Sequence, residues 1–240
     1  MNTERTKYFY NNFSDTFIKY YGKTLQVYSP SDMKSYLKQL LKRIDFKNGM
    51  NVLDVGCGVC GPAIFFAGNR KINIDAITIS QYQAELAKKN ISESRLGNSI
   101  RVFEMDYHYL DKTILKPEYD VAYFFESLGH TDKYKQVIDE LGSLIKIGGI
   151  LYIKDLFSLN KDDDKNSDIT QNRENYYNYK PIVLHKLMEA LFYNDFRIEF
   201  IEHLDLKINS NNLKKFIGEL GFPDDGKETG YWLEIKAIKH

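Results

Sequence analysis

The feature that most constrains this sequence is a short apolar run that ends in glycines. Residues 51–55 read Asn-Val-Leu-Asp-Val and pass directly into Gly56-Cys57-Gly58-Val59-Cys60-Gly61. The run is β-prone and predicts a short buried strand. The glycines fit the letters G-x-G-x-x-G, and residues 62–67 then read as a helix. A strand turning at once into a helix lets a ligand approach the backbone closely, with free N–H groups at the helix start.

The rest of the chain supplies the neighbours such a strand needs. Residues 72–79 predict the next strand. Ser80 then caps a helix to about residue 90, with Gln83 at capping-box spacing. Strands are expected at 100–105 and 119–125. A helix over about 132–145 carries Val137, Leu141 and Leu144 on one side, and Gly148-Gly149 turns the chain into a strand at 150–153. A helix at 181–192, a strand at 196–202, a short helix near 212–219 and a strand at 231–238 complete the pattern. Such alternation predicts an α/β fold: a Rossmann-like, seven-stranded, mostly parallel sheet with helices on both faces. Ahead of it, residues 3–22 and a segment from Met33 read as helices. They define a helical N-terminal cap over 1–45, packed on a domain over 46–240. The polar stretch 158–176, with Asp162-Asp163-Asp164 inside it, reads as a mobile loop or lid.

Composition narrows the function. With 240 residues, 43% of them hydrophobic, the chain can bury about 70% of its extended surface, enough for one full core. Lys+Arg 33 balance Asp+Glu 33, which argues against a dedicated nucleic-acid binder. The cysteines, Cys57 and Cys60, lie within the glycine turn, where no disulfide framework is expected. The start of the chain is charged and aromatic, unlike a signal peptide, and no apolar run reaches membrane-spanning length. The expectation is a cytoplasmic protein without stable membrane insertion, monomer or homodimer, acting on a small molecule. Eighteen Tyr and 15 Phe are many for an ordinary core, and several cluster early, as Tyr8, Phe9, Tyr10, Phe13, Phe17, Tyr20 and Tyr21. They read as a core-covering helix whose rings can also line an apolar pocket.

Asp54 bears on what the glycine turn holds. A carboxylate two residues before the first glycine is misplaced beside a phosphate, but it suits the ammonium of a zwitterionic tail. Here Val52-Leu53-Asp54-Val55-Gly56-Cys57-Gly58 resembles the first motif of the class I S-adenosylmethionine-dependent methyltransferases. Thr78-Ile79-Ser80-Gln81-Tyr82-Gln83-Ala84 is similar to a segment of the cyclopropane-fatty-acid, sterol and isoprenoid diphosphate C-methyltransferase group. So are 10–17 with Tyr20-Tyr21-Gly22, and Glu126-Ser127-Leu128-Gly129-His130. The resemblance implies S-adenosylmethionine as cofactor, held by Asp54, Gly56, Cys57, Gly58, Thr78, Ile79, Gln83, Asp106, Tyr107 and Phe125. Thr78 and Gln83 would meet the ribose, with Asp75 as an alternative. Asp106 would accept from the adenine amino group, with Glu104 as fallback.

A length of 240 residues favours a small substrate, and the resemblance implies an apolar or isoprenoid-like one, methylated at an alkene carbon, with Tyr10, Phe13, Tyr20 and Tyr21 as its wall. A sulfonium methyl is already electrophilic, so the protein must align the acceptor, exclude water and remove a proton. Glu126, His130 and Tyr21 are the expected catalytic groups. The bland alternatives are a salt bridge at the loop mouth for Glu126 and a turn cap for His130. Lys19, Lys23, Lys38 and Lys154 are available for a diphosphate without forming a recognisable motif. The histidine spacings suggest no metal triad. Competing readings are an N- or O-methyltransferase of a small natural product, an NAD-dependent oxidoreductase, and a non-catalytic cofactor-binding protein.

Overall fold

The computed structural model describes residues 2–30, 32–115, 118–159, 174–175, 178–205, 210–221 and 230–240. The first strand, β1 (Asn51–Val55), is followed by α3 (Gly61–Asn69), β2 (Asn73–Thr78), α4 (Gln81–Ser94), β3 (Ile100–Glu104) and β4 (Tyr119–Phe125). Helix α5 (Tyr134–Gly142) leads to β5 (Ile145–Ser158), β6 (Ile182–Val183), α6 (Leu184–Tyr193), β7 (Phe196–His203), α7 (Ser210–Leu220) and β8 (Tyr231–Lys239). Ahead of β1 lie α1 (Thr3–Tyr21) and α2 (Met33–Arg43).

Among the described residues the strands form one sheet in the order β3-β2-β1-β4-β5-β8-β7, with β6 pairing β5 to make eight. Seven were expected. The addition is the two-residue β6, which lies beside Phe157 and Ser158 and whose apolar pair reads equally well as the start of a helix. Strand β8 runs antiparallel to β5 and β7; the pairs among β1 to β5 are parallel. Strand order therefore reverses between β1 and β4, which opens a crevice at their carboxyl ends.

Side-chain alternation builds the two faces. Leu53 and Val55 of β1 pack with Val137, Ile138 and Leu141 of α5 and Leu187 of α6. Val52 packs on the other face with Leu37 and Leu40 of α2, Phe66 of α3 and Ile91 of α4. Both faces are covered, which is why β1 tolerates a nearly continuous apolar sequence.

Within residues 1–45 the two helices behave differently. Helix α2 belongs to the sheet's core, whereas Phe9 and Phe17 of α1 form a separate cluster with Phe216 and Ile217 of α7. The strand expected at 150–153 is longer, because Gly148-Gly149 sits in a bulge rather than a turn. Tyr119 pairs Ile145 and Val121 pairs Ile150, so several residues of β5 are looped out against one of β4. The predicted 158–176 lid lies mostly outside the described residues. Among the described residues, no helix is long and apolar enough to cross a membrane.

Candidate functional site

The glycine turn is fixed from both sides. Gly56 and Gly58 have φ of +90 and +55, a region open to glycine at little cost. The Gly56 and Cys57 amides donate to the Ile77 carbonyl at 3.0 and 2.8 Å, tying the turn to the end of β2. A Cβ on Gly56 would lie 2.5 Å from the Ser127 Cβ, and one on Gly61 would lie 2.1 Å from the Lys23 carbonyl oxygen. The second clash is with backbone and cannot relax by a rotamer change. Gly61→Ala is therefore expected to lower stability by about 1–3 kcal/mol, read as a lower urea midpoint at unchanged slope. A change below about 0.5 kcal/mol would contradict so tight a contact.

Above the turn lies a cavity that opens to solvent, and the empty space there, with the solvent at its mouth included, is about 850 Å³. Every residue expected to hold the cofactor lines it: Asp54, Gly56, Cys57, Gly58, Thr78, Ile79, Gln83, Asp106, Tyr107 and Phe125. Glu126, His130 and Tyr10 line it too. Phe13, Tyr20 and Tyr21 do not. Phe13 and Tyr21 pack in the cluster around Phe17 and Phe216, and the Tyr20 hydroxyl donates to Glu219 at 2.6 Å. The helix period explains the split. Thr3, Thr6 and Tyr10 lie on the α1 stripe that faces the cavity, whereas the later rings turn toward α7. Thr3 and Thr6 were missed, although their i, i+3, i+7 spacing with Tyr10 was readable.

Asp54 is 3% exposed, and its Oδ2 accepts a 2.7 Å hydrogen bond from Tyr123. Among the described residues no cation pairs with it. Burial pushes its carboxyl up to about 7, with the Tyr123 bond opposing. A buried carboxylate bordering a cavity without a counter-charge fits the ammonium of an amino-acid tail. Thr78 Oγ1 donates to Gln83 Oε1 at 2.7 Å, and Gln83 Nε2 donates to Ser14 Oγ of α1 at 3.0 Å. The ribose pair expected from the sequence is thus joined to the N-terminal helix. For Asp106, burial alone would raise the carboxyl, but hydrogen bonds from the His108 ring and backbone outweigh it and hold it below the usual range. The fallbacks point elsewhere. Asp75 accepts from Arg101 Nε and Nη2 at 2.7 Å and from the Tyr119 hydroxyl, and Glu104 pairs Lys7 at 2.6 Å; neither lines the cavity.

Glu126 follows β4 with φ +55, and its carboxylate is engaged. Oε1 pairs Lys154 Nζ at 2.6 Å, and Oε2 accepts from the Val27 and Tyr28 amides at 2.8 and 3.3 Å. Lys154 is 0% exposed and also donates to Gln26 Oε1 and the Tyr28 carbonyl. The pair clasps residues 26–28 onto the sheet, just beyond the cavity-lining Thr24 and Leu25. Sequence reasoning missed Lys154 as a structural cation. The remaining lysines considered for a diphosphate do not line the cavity: Lys19 pairs Glu219, Lys23 pairs Glu93, and Lys38 is exposed on α2.

His130 ends a short 3-10 turn, Leu128–His130. That turn is held by Asp155, whose Oδ2 accepts from the Leu128 and Gly129 amides at 2.9 and 3.2 Å. The Nδ1 of His130 lies 3.0 Å from the Asn178 carbonyl oxygen, and Nε2 lies 2.9 Å from the Tyr10 hydroxyl. A carbonyl only accepts, so Nδ1 carries the proton, and in the neutral ring Tyr10 donates to Nε2.

The mycolic acid cyclopropane synthetase family matches residues 6–211. Among curated relatives, 24-methylenesterol C-methyltransferase 3 of Arabidopsis thaliana is 29% identical over 134 residues, 55% of this chain but 37% of its own length. The chain thus spans well under two thirds of that relative. Among solved structures, the [4+2]-cyclase SpnF superposes with a TM-score of 0.78 at 18% identity, covering 100% of this chain and 97% of that one. Geranyl diphosphate C-methyltransferase from Streptomyces coelicolor A3(2) gives 0.75 at 15%, covering 99% and 97%. These superpositions speak to the fold, and the family match spans most of the chain. The chain belongs to the mycolic acid cyclopropane synthetase family, within the class I S-adenosylmethionine-dependent methyltransferases.

Proposed function

We propose that this protein binds S-adenosylmethionine in the cavity above its glycine turn and methylates a small, apolar metabolite in the cytoplasm. The observation that carries this reading is Asp54, a buried carboxylate bordering the cavity with no cation beside it among the described residues. When bound, the cofactor supplies a methyl group activated by a sulfonium. Asp54 would hold the ammonium end, Thr78 and Gln83 the ribose, and Asp106 the adenine edge. Phe125 and Tyr107 would exclude water from the site. Glu126 would act as a positioning residue, because its oxygens are spent on Lys154 and on residues 27–28. His130 would accept the proton that leaves the substrate, directly or through Tyr10, since its tautomer leaves Nε2 as the basic nitrogen. A cytoplasmic home suits Cys57 and Cys60, both buried and free.

The test is a screen of small alkenes, isoprenoid alcohols and diphosphates, amines and phenols with methyl-labelled cofactor, read by mass spectrometry. The expected outcome is label on one class of apolar acceptor, with turnover cut at least about tenfold by His130→Ala. Absence of labelled product across the panel would contradict the reading, and full turnover by His130→Ala would remove that residue from it.

A further inference from the structure

The corner after β3 holds a carboxylate that is anchored through one oxygen. Among the described residues both hydrogen bonds to Asp106 fall on Oδ1, from the His108 amide at 2.9 Å and from His108 Nδ1 at 2.6 Å. An ionised carboxylate only accepts, so Nδ1 carries the ring proton. Asp106 borders the cavity and its side chain is partly exposed, which leaves Oδ2 to accept from a donor that enters there.

His108 is itself braced. The residue is buried, and its Nε2 lies 2.7 Å from the Thr131 hydroxyl. In the neutral ring Nε2 accepts that proton, while the Thr131 oxygen accepts from the Lys133 amide at 2.9 Å. Thr131 caps the turn Leu128–His130, its own amide donating to the Leu128 carbonyl at 3.3 Å. The His108 carbonyl accepts from Gln136 of α5 at 2.9 Å. A ring held at both nitrogens, on a backbone that is also held, keeps one orientation and imposes it on the carboxylate it touches. The proton transfer assigned to His130 makes no use of this histidine.

We propose that His108 is a positioning residue that sets the base specificity of the cofactor site: by occupying Oδ1 it presents Asp106 Oδ2 to the exocyclic amino group of adenine. This deepens the S-adenosylmethionine reading above and rests on its placement of the adenine edge at Asp106. A carboxylate free to rotate would lose that freedom on binding, and one already fixed does not.

Calorimetry on the full chain compares S-adenosylhomocysteine with its analogue carrying hydrogen in place of the 6-amino group. The analogue keeps the ring nitrogens, so the ratio of the two affinities reads the amino group's hydrogen bond. The native protein is expected to bind S-adenosylhomocysteine about tenfold tighter, as for one hydrogen bond to a charged acceptor. His108→Phe should narrow that ratio to about threefold or less by weakening S-adenosylhomocysteine alone. His108→Asn, which keeps a donor where Nδ1 lies, should retain at least about half of the native ratio. Thermal melting checks folding. Should His108→Phe melt early, His108→Gln, whose amide reaches toward Thr131 instead of Asp106, replaces it with the same narrowing expected. A purely structural histidine would weaken both ligands equally. A ratio unchanged in His108→Phe or its replacement, or one narrowed as far in His108→Asn, would overturn the proposal.

Asp106→Asn separates the proposal from the reading beneath it. The amide oxygen takes the His108 donors and the NH2 then meets the base, so the ratio should fall to about one. A native ratio kept in Asp106→Asn would overturn the adenine placement, and the proposal with it. A ratio lost there but unchanged in the His108 variants would overturn the proposal alone. Failure of S-adenosylhomocysteine to bind the native protein would overturn the cofactor reading itself and everything resting on it.

Discussion

Asp54→Asn is expected to cost at least about a hundredfold in S-adenosylmethionine affinity, on the order of 3 kcal/mol for removing one partner of a buried pair, without lowering the melting temperature of the ligand-free protein. The two effects run in opposite directions for one reason. Burial raises the Asp54 carboxyl from 3.8 to about 7, so the folded chain binds this proton more tightly than the unfolded chain. Its contribution to stability is fully present below about pH 4, declines as pH rises toward 7, and is absent above that. Near neutral pH the residue costs stability, and the isosteric amide removes that cost. Cofactor affinity should show the reverse, rising through about pH 7 as the carboxylate ionises and becomes able to meet a cation. Calorimetry between pH 6 and 8, on the native protein and the variant, reads both. An affinity that is flat with pH, or retained in Asp54→Asn, would remove this residue from the tail site.

Lys154→Met should destabilise the fold by about 3–5 kcal/mol, lowering the melting temperature by on the order of 10 °C for a chain of this size. The side chain is fully buried, and its loss strands the Glu126 carboxylate together with the Gln26 and Tyr28 oxygens. Glu126→Gln should also destabilise the fold, because an amide oxygen that faces Lys154 leaves the NH2 against the Val27 and Tyr28 amides, which donate to the carboxylate. The double variant should lose less than the sum of the single losses, as expected of partners in contact. Chemical denaturation of the four proteins measures the coupling. Strict additivity would mean that the clasp on residues 26–28 does not act as a unit.

Much of the site was legible because it is local in sequence. The glycine turn, Asp54 before it, Thr78 at the end of β2 with Gln83 beyond it, and Asp106 after β3 sit where strands end, and a strand end is fixed by the hydrophobic run ahead of it. Phe13, Tyr20 and Tyr21 were expected in the pocket wall from the resemblance of the early aromatic segment, and they do not line the cavity. Tyr20 and Tyr21 meet Phe216, two hundred residues away in sequence to within a few positions, Phe13 packs against the same cluster, and no local pattern announces those contacts. Lys154 went unread as a clasp for a related reason. A lysine in a sequence is ordinarily solvated, and only its place beside Asp155, inside an otherwise apolar strand, hints that it must be paired. The Gly148-Gly149 bulge was read as a turn, because two glycines permit both and pairing with β4 decides.

The most direct test of the central claim is competitive calorimetry of S-adenosylmethionine, S-adenosylhomocysteine and NAD on the native protein. The account predicts that both sulfur compounds bind with Kd values on the order of micromolar and that NAD binds at least about a hundredfold more weakly, because its pyrophosphate would lie near the Asp54 carboxylate. NAD binding more tightly than either sulfur compound would contradict it.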